Sequence, residues 1–283
     1  MKIIQLLEGL GKVDRRIIFL LVFLAVLIPM FVSKTGQIRP EEPVKQAYAA
    51  VDRLKPGDVL MVSIDYDATS EPELKPMLEA ILYQAFQKNL KVVMTGQLAL
   101  GLPLGQISLD KVVNDLKEKH GIVKEYGVDY INLGYRPGYV SVILAIGREI
   151  RDLFQSDYQS KPINQFPIME KIHNYDDIGL ILVLAHGATI DTWVQYANGR
   201  FGVKIIAGLT AISAPDAYVY LNAGQLSGLI GGLAGAAQYE TLVGVPGGGT
   251  RGMPAQSWSH ILIIILVIIG NAGYFITKYL GGK

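Results

Sequence analysis

Residues Ile178 to Leu184 read IGLILVL, seven consecutive positions with no polar side chain, preceded by Asp176-Asp177 and followed by Ala185-His186-Gly187. A strand with one face in water alternates apolar and polar residues, because successive side chains point to opposite faces. An unbroken apolar run suits a strand covered on both faces, as in a parallel sheet held between layers of helices.

Similar short runs recur on either side of it. Asp58–Ile64 (DVLMVSI), Leu90–Met94 (LKVVM), Asp129–Leu133 (DYINL) and Val203–Ala207 (VKIIA) are strand candidates bounded by turn residues. Helical spacing fills the gaps. Glu71–Asn89 places Leu74, Met77, Leu78, Ile81, Leu82, Ala85 and Phe86 on one face. Leu109–His120 follows Ser108 as a candidate N-cap and is closed by Gly121. Tyr139–Phe154, Thr189–Asn198, Ala214–Leu221 and Gly224–Leu242 read as further helices, and Glu41–Leu54 leads in before Lys55-Pro56-Gly57 breaks it. Strands separated by amphipathic helices imply βαβ units. The expectation is an α/β, Rossmann-like three-layer domain with about five parallel strands, spanning 34–243 and flanked by two transmembrane helices.

The flanks are the two long apolar segments, Ile17–Val32 (IIFLLVFLAVLIPMFV) and Ile261–Thr277 (ILIIILVIIGNAGYFIT). At 1.5 Å per residue each covers roughly 25 Å, at the short end of a bilayer crossing. Transmembrane helices are placed at 17–33 and 258–279, after a cytoplasmic tail at 1–16. The stretch 244–257 opens GVPGGGTRG and reads as a flexible glycine-rich linker. Lys2, Lys12, Arg15 and Arg16 precede the first segment, and Lys278 and Lys283 follow the second. By the positive-inside rule both termini are cytoplasmic and the central domain is extracytoplasmic. FVSKTGQ after the first segment lacks the small-residue pair of a cleavage site, so the segment reads as an uncleaved anchor. Asn271 within the second segment could hydrogen-bond a neighbouring helix and favour oligomers.

Composition narrows the function classes. With 26 basic and 25 acidic residues the net charge is +1, and no basic stripe recommends nucleic acid as a partner. The absence of cysteine removes disulfides, thiolate metal sites and cysteine nucleophiles. The expected partners are the lipid bilayer and either further copies of the chain or other membrane subunits. There is no GxGxxG or P-loop, since GQLALGLPLG (Gly96–Gly105) has the wrong spacing, and no HExxH. No cofactor is expected.

Ligands of open parallel sheets bind beyond the carboxyl ends of the strands. That rule selects Asp65 and Asp67, Thr95 and Gln97, Asn132 and Arg136, His186, and Thr210 and Ser213. Within this set, Asp65-Tyr66-Asp67-Ala68-Thr69 resembles the first motif of the haloacid dehalogenase superfamily, DxDx[TV]. The resemblance covers only these residues. It implies Asp65 as nucleophile, Asp67 as general acid/base, Thr95 as the hydroxyl of the next strand, and Mg²⁺ chemistry. That family also carries an acidic pair after a later strand, whereas Asp176-Asp177 precedes one here. The plainer reading is an Asx turn capping the helix that starts near Glu71. His186, with Asp191 five residues on, could serve a hydrolase but lacks a GxSxG elbow.

Gly224, Gly228, Gly231 and Gly235 recur at three- and four-residue steps and would make a bare helix face, suited to close packing against the domain's own sheet or to a contact with another subunit or the membrane surface. The favoured function is therefore a doubly anchored structural, assembly or accessory subunit of a membrane complex. The alternatives are an extracytoplasmic small-ligand-binding domain, or an anchored phosphatase or hydrolase using Asp65 and Asp67.

Overall fold

Each apolar run forms a strand of one parallel sheet. The structure is a computed structural model that describes residues 14–32 and 38–280. The strands are β1 (Val59–Asp65), β2 (Lys91–Gly96), β3 (Tyr130–Tyr135), β4 (Leu180–Ala185), β5 (Ile205–Leu209) and β6 (Leu229–Gly231). They lie in the order β3-β2-β1-β4-β5-β6, with every neighbouring pair parallel. The chain builds outward from β1 to β3, then returns to build the other half from β4. β1 and β4 therefore flank the switch point of a Rossmann-like sheet.

The double cover inferred from IGLILVL is present. Leu180, Leu182 and Leu184 face a core formed with α3 (Glu71–Gln87), through Leu74, Met77, Leu78 and Ile81. Ile181, Val183 and Ala185 face the opposite core, with Val142, Ile143, Trp193 and Val194. α2 (Glu42–Asp52) and α4 (Gly101–His120) share the first layer.

Several expectations are corrected by the structure. First, the sheet has six strands among the described residues, one beyond the five expected, because β6 lies inside the supposed helix Gly224–Leu242. Gly224 takes a left-handed φ of +73° just after α9 (Ala214–Asn222), and helix resumes only at α10 (Gly232–Val243). The glycine-faced helix does not form. A Cβ on Gly228 would lie 2.2 Å from the amide nitrogen of Ala47, so this glycine admits α2 against the sheet edge. Gly231 and Gly235 likewise meet Ala214 and Ile230 within the domain.

Second, α4 starts at Gly101, eight residues before the expected position. A Cβ on Gly101 would come 2.4 Å from the Tyr66 carbonyl oxygen, and one on Gly105 would come 2.9 Å from Ile64 Cγ1. These glycines serve helix-on-strand packing. Ser108 is no N-cap but donates back to the Leu104 carbonyl within the helix (3.0 Å). The helix expected at Tyr139–Phe154 is also split, into α5 (Val140–Ile146) and α6 (Ile150–Leu153). Gly147 at the break faces the Phe201 ring, and Glu149 caps the second piece by accepting from Arg151 N.

Third, the glycine-rich stretch is not a flexible linker. The buried Glu240 side chain accepts from the amides of Gly247 (2.8 Å), Gly249 (2.8 Å) and Thr250 (2.7 Å). A helix leaves its first amides without internal acceptors, and a carboxyl group supplies them. The final helix, α11 (Gly248–Leu280), accordingly starts ten residues before the expected transmembrane segment.

Residues Ile38–Thr250 form one compact unit; the described parts of 1–37 and 251–283 form another. The second unit holds α1 (Arg15–Val32) and most of α11, and both helices are long and apolar enough to cross a membrane. Asn271 Nδ2 donates to the Val267 carbonyl of its own helix (2.8 Å). Lys2, Lys12 and Lys283, which entered the orientation reading, lie outside the described residues.

Candidate functional site

The carboxyl edge of the sheet carries every rim residue the sequence selected, but its two halves differ. At the switch point Asp65 ends β1, fully buried, and its carboxyl group is enclosed by donors. Ser63 Oγ (2.7 Å) and the Gln97 amide (2.7 Å) donate to Oδ1, and Trp193 Nε1 (2.9 Å) donates to Oδ2. Burial pushes the Asp65 carboxyl up to about 6, against the opposing pull of the bonds from Gln97, Ser63 and Trp193. Trp193 lies in a π-helical stretch (Trp193–Asn198) between the short helices α7 (Thr189–Thr192) and α8 (Gly199–Phe201). Such wide turns displace side chains from regular α positions.

Asp67 forms an Asx turn, but it does not cap α3, whose N-cap is Ser70 and which has no side-chain cap. Its Oδ1 accepts from the Thr69 amide (2.9 Å) and the Thr69 hydroxyl (2.5 Å), and the hydroxyl bond holds its carboxyl below the usual range. The resemblance to a dehalogenase motif thus stops at the letters. Both oxygens of Asp65 are engaged by the protein, so this carboxylate is not presented to a phosphoryl group. Among the described residues no group of three or more Asp, Glu or His side chains could hold a metal ion.

The remaining selected residues tie loops to one another. Thr210 Oγ1 donates to Ser213 Oγ (3.1 Å), which accepts from the Gly187 amide (3.0 Å), so the loops after β4 and β5 are joined. His186 sits between them, half-buried, with a buried Nδ1 that has no hydrogen-bond partner. Thr95 lies where the β2–β3 register shifts, and its hydroxyl donates to the Gly134 carbonyl (2.9 Å).

The other half of the edge is open. A cavity of about 570 Å³ lies at the ends of β2 and β3, lined by Leu102, Gln106, Ile107, Asn132, Arg136 and Tyr158 among others. Asn132 Nδ2 donates to Gln106 Oε1 (3.0 Å), and Asn132 Oδ1 accepts from the Gly134 amide (3.0 Å). Asp157 fixes the far wall. Its Oδ1 accepts from the Gln159 (2.9 Å) and Lys161 (2.8 Å) amides, and its Oδ2 accepts from Tyr126 Oη (2.7 Å). A second cavity, about 560 Å³, lies at the amino edge beside Lys91 and Asp177, where those groups are already committed. Lys91 pairs with Asp129 at 2.9 Å, and Asp177 accepts from the His173 amide at 2.8 Å.

The topology rule therefore located the edge, and the structure adds Ser63, Trp193, Gln106 and Tyr158. Trp193 is 128 residues from Asp65, and no local pattern links them. Gln106 was hidden because its segment reads as loop. No protein-family model, curated protein or solved structure matches this chain.

Proposed function

We propose that this chain is a membrane-anchored, Rossmann-like domain that binds a small polar ligand at the carboxyl edge of its sheet. One observation carries the reading. The cavity of about 570 Å³ opens at the edge where this strand order places ligands, and polar side chains from β3, α4 and the loop at Tyr158 converge on it. With the glycine-faced helix gone, ligand binding has more support than the subunit role.

Two helices able to cross a bilayer support the anchoring, which makes lipid one partner. Arg15 and Arg16 at the start of α1 and Lys278 near the end of α11 favour cytoplasmic termini and an extracytoplasmic domain. Assembly with further copies or with other membrane subunits remains the second reading. It is favoured by the exposed apolar side chains of both helices, such as Phe19, Phe23, Ile264 and Ile268.

The test is a thermal-unfolding screen of the full chain in mild detergent against small polar metabolites. At least one should raise the midpoint of the wild type and have no effect on Asn132→Leu, which apolarises the cavity floor. A screen with no stabilising compound overturns the proposal.

A further inference from the structure

Arg136 stands out among the cavity's lining residues. Its Nε donates to the Leu153 carbonyl (3.2 Å) and its Nη1 to the Tyr135 carbonyl (3.0 Å). The guanidinium lies 5.2 Å from the centroid of the Phe154 ring, which is fully buried. Two carbonyls and a ring therefore fix the plane of the cation, and no carboxylate pairs with it among the described residues. A guanidinium carries five N–H donors, so about three remain for a ligand. Ions placed in a half-buried site without a partner are costly, and a fixed, unpaired fork suits a bidentate anion.

The other lining groups narrow the anion. Arg136 is the one cationic side chain among those that line the cavity. Asp157 lines it too, and its carboxyl, though engaged by Tyr126 and two amides, adds negative charge nearby. A dianion would meet one positive and one negative group; a monoanion is better matched. Leu102, Pro103 and Ile107 give the lining an apolar part. Tyr158 Oη accepts from Gln159 Nε2 (2.9 Å), which leaves its own hydroxyl hydrogen to donate.

We infer that the cavity at the ends of β2 and β3 takes a small monocarboxylate with an apolar body, its carboxylate held bidentately by Arg136 and its body against Leu102, Pro103 and Ile107. This rests on the ligand-binding reading above and names the ligand class for the same site.

The experiment uses the full chain in mild detergent, with hexanoate and benzoate as probes, hexanamide and benzamide as their neutral counterparts, and inorganic phosphate as the dianion. Affinity is read by calorimetric titration. The carboxylates should bind at least about tenfold more tightly than the amides, and Arg136→Met, which keeps the aliphatic stem, should abolish that preference. Ile107→Glu places a carboxylate at the exposed mouth and should weaken carboxylate binding even if Arg136→Met fails to fold. Amides binding as well as carboxylates, phosphate binding better than either, or carboxylate affinity unchanged in both variants overturns the monocarboxylate assignment, leaving a ligand site in place. No binding by any probe, together with a metabolite found in the thermal screen, also overturns this assignment alone. A thermal screen with no stabilising compound overturns the site itself.

Discussion

Asp65 offers the sharpest test of the switch-point geometry. Its carboxyl has an ordinary value of 3.8 and is pushed up to about 6 in the fold, with burial as the leading cause. The folded value exceeds the unfolded one, so the folded state binds the extra proton. Its stabilising effect is fully present below pH 3.8 and is lost as pH rises through about 6. Each unit is worth ~1.4 kcal/mol, so ionised Asp65 costs the fold on the order of 3 kcal/mol at neutral pH. Asp65→Asn removes the titration. The variant's stability carries a constant offset, since the amide turns one donor toward groups that themselves donate. The unfolded carboxyl is already about half ionised at pH 4, so the wild-type minus variant difference should fall by ~2.4 kcal/mol between pH 4 and pH 7. The assay is denaturant unfolding of the full chain in detergent, read by Trp193 fluorescence in a Trp258→Phe background. Wild type and variant running parallel across that window, within about 0.5 kcal/mol, would falsify the account of Asp65 as a desolvated carboxyl, and its enclosure by Trp193 with it.

Removing the Trp193 donor by Trp193→Phe should cost about 1.5–3 kcal/mol at pH 7 and less at pH 4, where Asp65 is protonated; equal losses at both pH values would contradict the bond. Glu240→Gln leaves one acceptor oxygen for the Gly247, Gly249 and Thr250 amides, so hydrogen exchange at those positions should accelerate and stability should drop by about 2–4 kcal/mol. Unchanged exchange would show that the start of α11 is held by something else. Gly228→Ala forces a Cβ to within 2.2 Å of the Ala47 amide nitrogen, so α2 must shift, at a cost of ~1–3 kcal/mol in the thermal midpoint analysis. A neutral substitution would mean that α2 does not seat against β6.

What the sequence disclosed depends on how far each structural decision reaches along the chain. β1 through β5 were legible because covering both faces of a strand demands continuous apolarity, a property of five to seven adjacent residues. β6 was not, because three residues give no period, and its glycines answer to Ala47 and Ala214, which lie elsewhere in the sequence. The same cause hid the start of α4. Gly101 and Gly105 look like loop residues until Ile64 and Tyr66 are placed beneath them. Glycine is ambiguous in just this way: it marks a turn when φ is positive, as at Gly224, and a close approach when it is not, as at Gly228.

The site divides along the same line. Topology alone sends Asp65, Thr95, Asn132, Arg136, His186 and Thr210 to one edge, so their placement there was predictable. Whether a polar group at that edge serves the protein or a ligand depends on whether some distant segment has already satisfied it. Trp193 arrives from 128 residues away and closes the Asp65 end. At the β3 end, Leu153 and Tyr135 offer Arg136 only carbonyls, and its positive charge is left without a carboxylate among the described residues. On the proposed reading, the half of a strand-end rim that serves a ligand is the half whose charges the fold orients and leaves uncompensated. That is a property of pairings between segments, which a rule applied strand by strand does not contain.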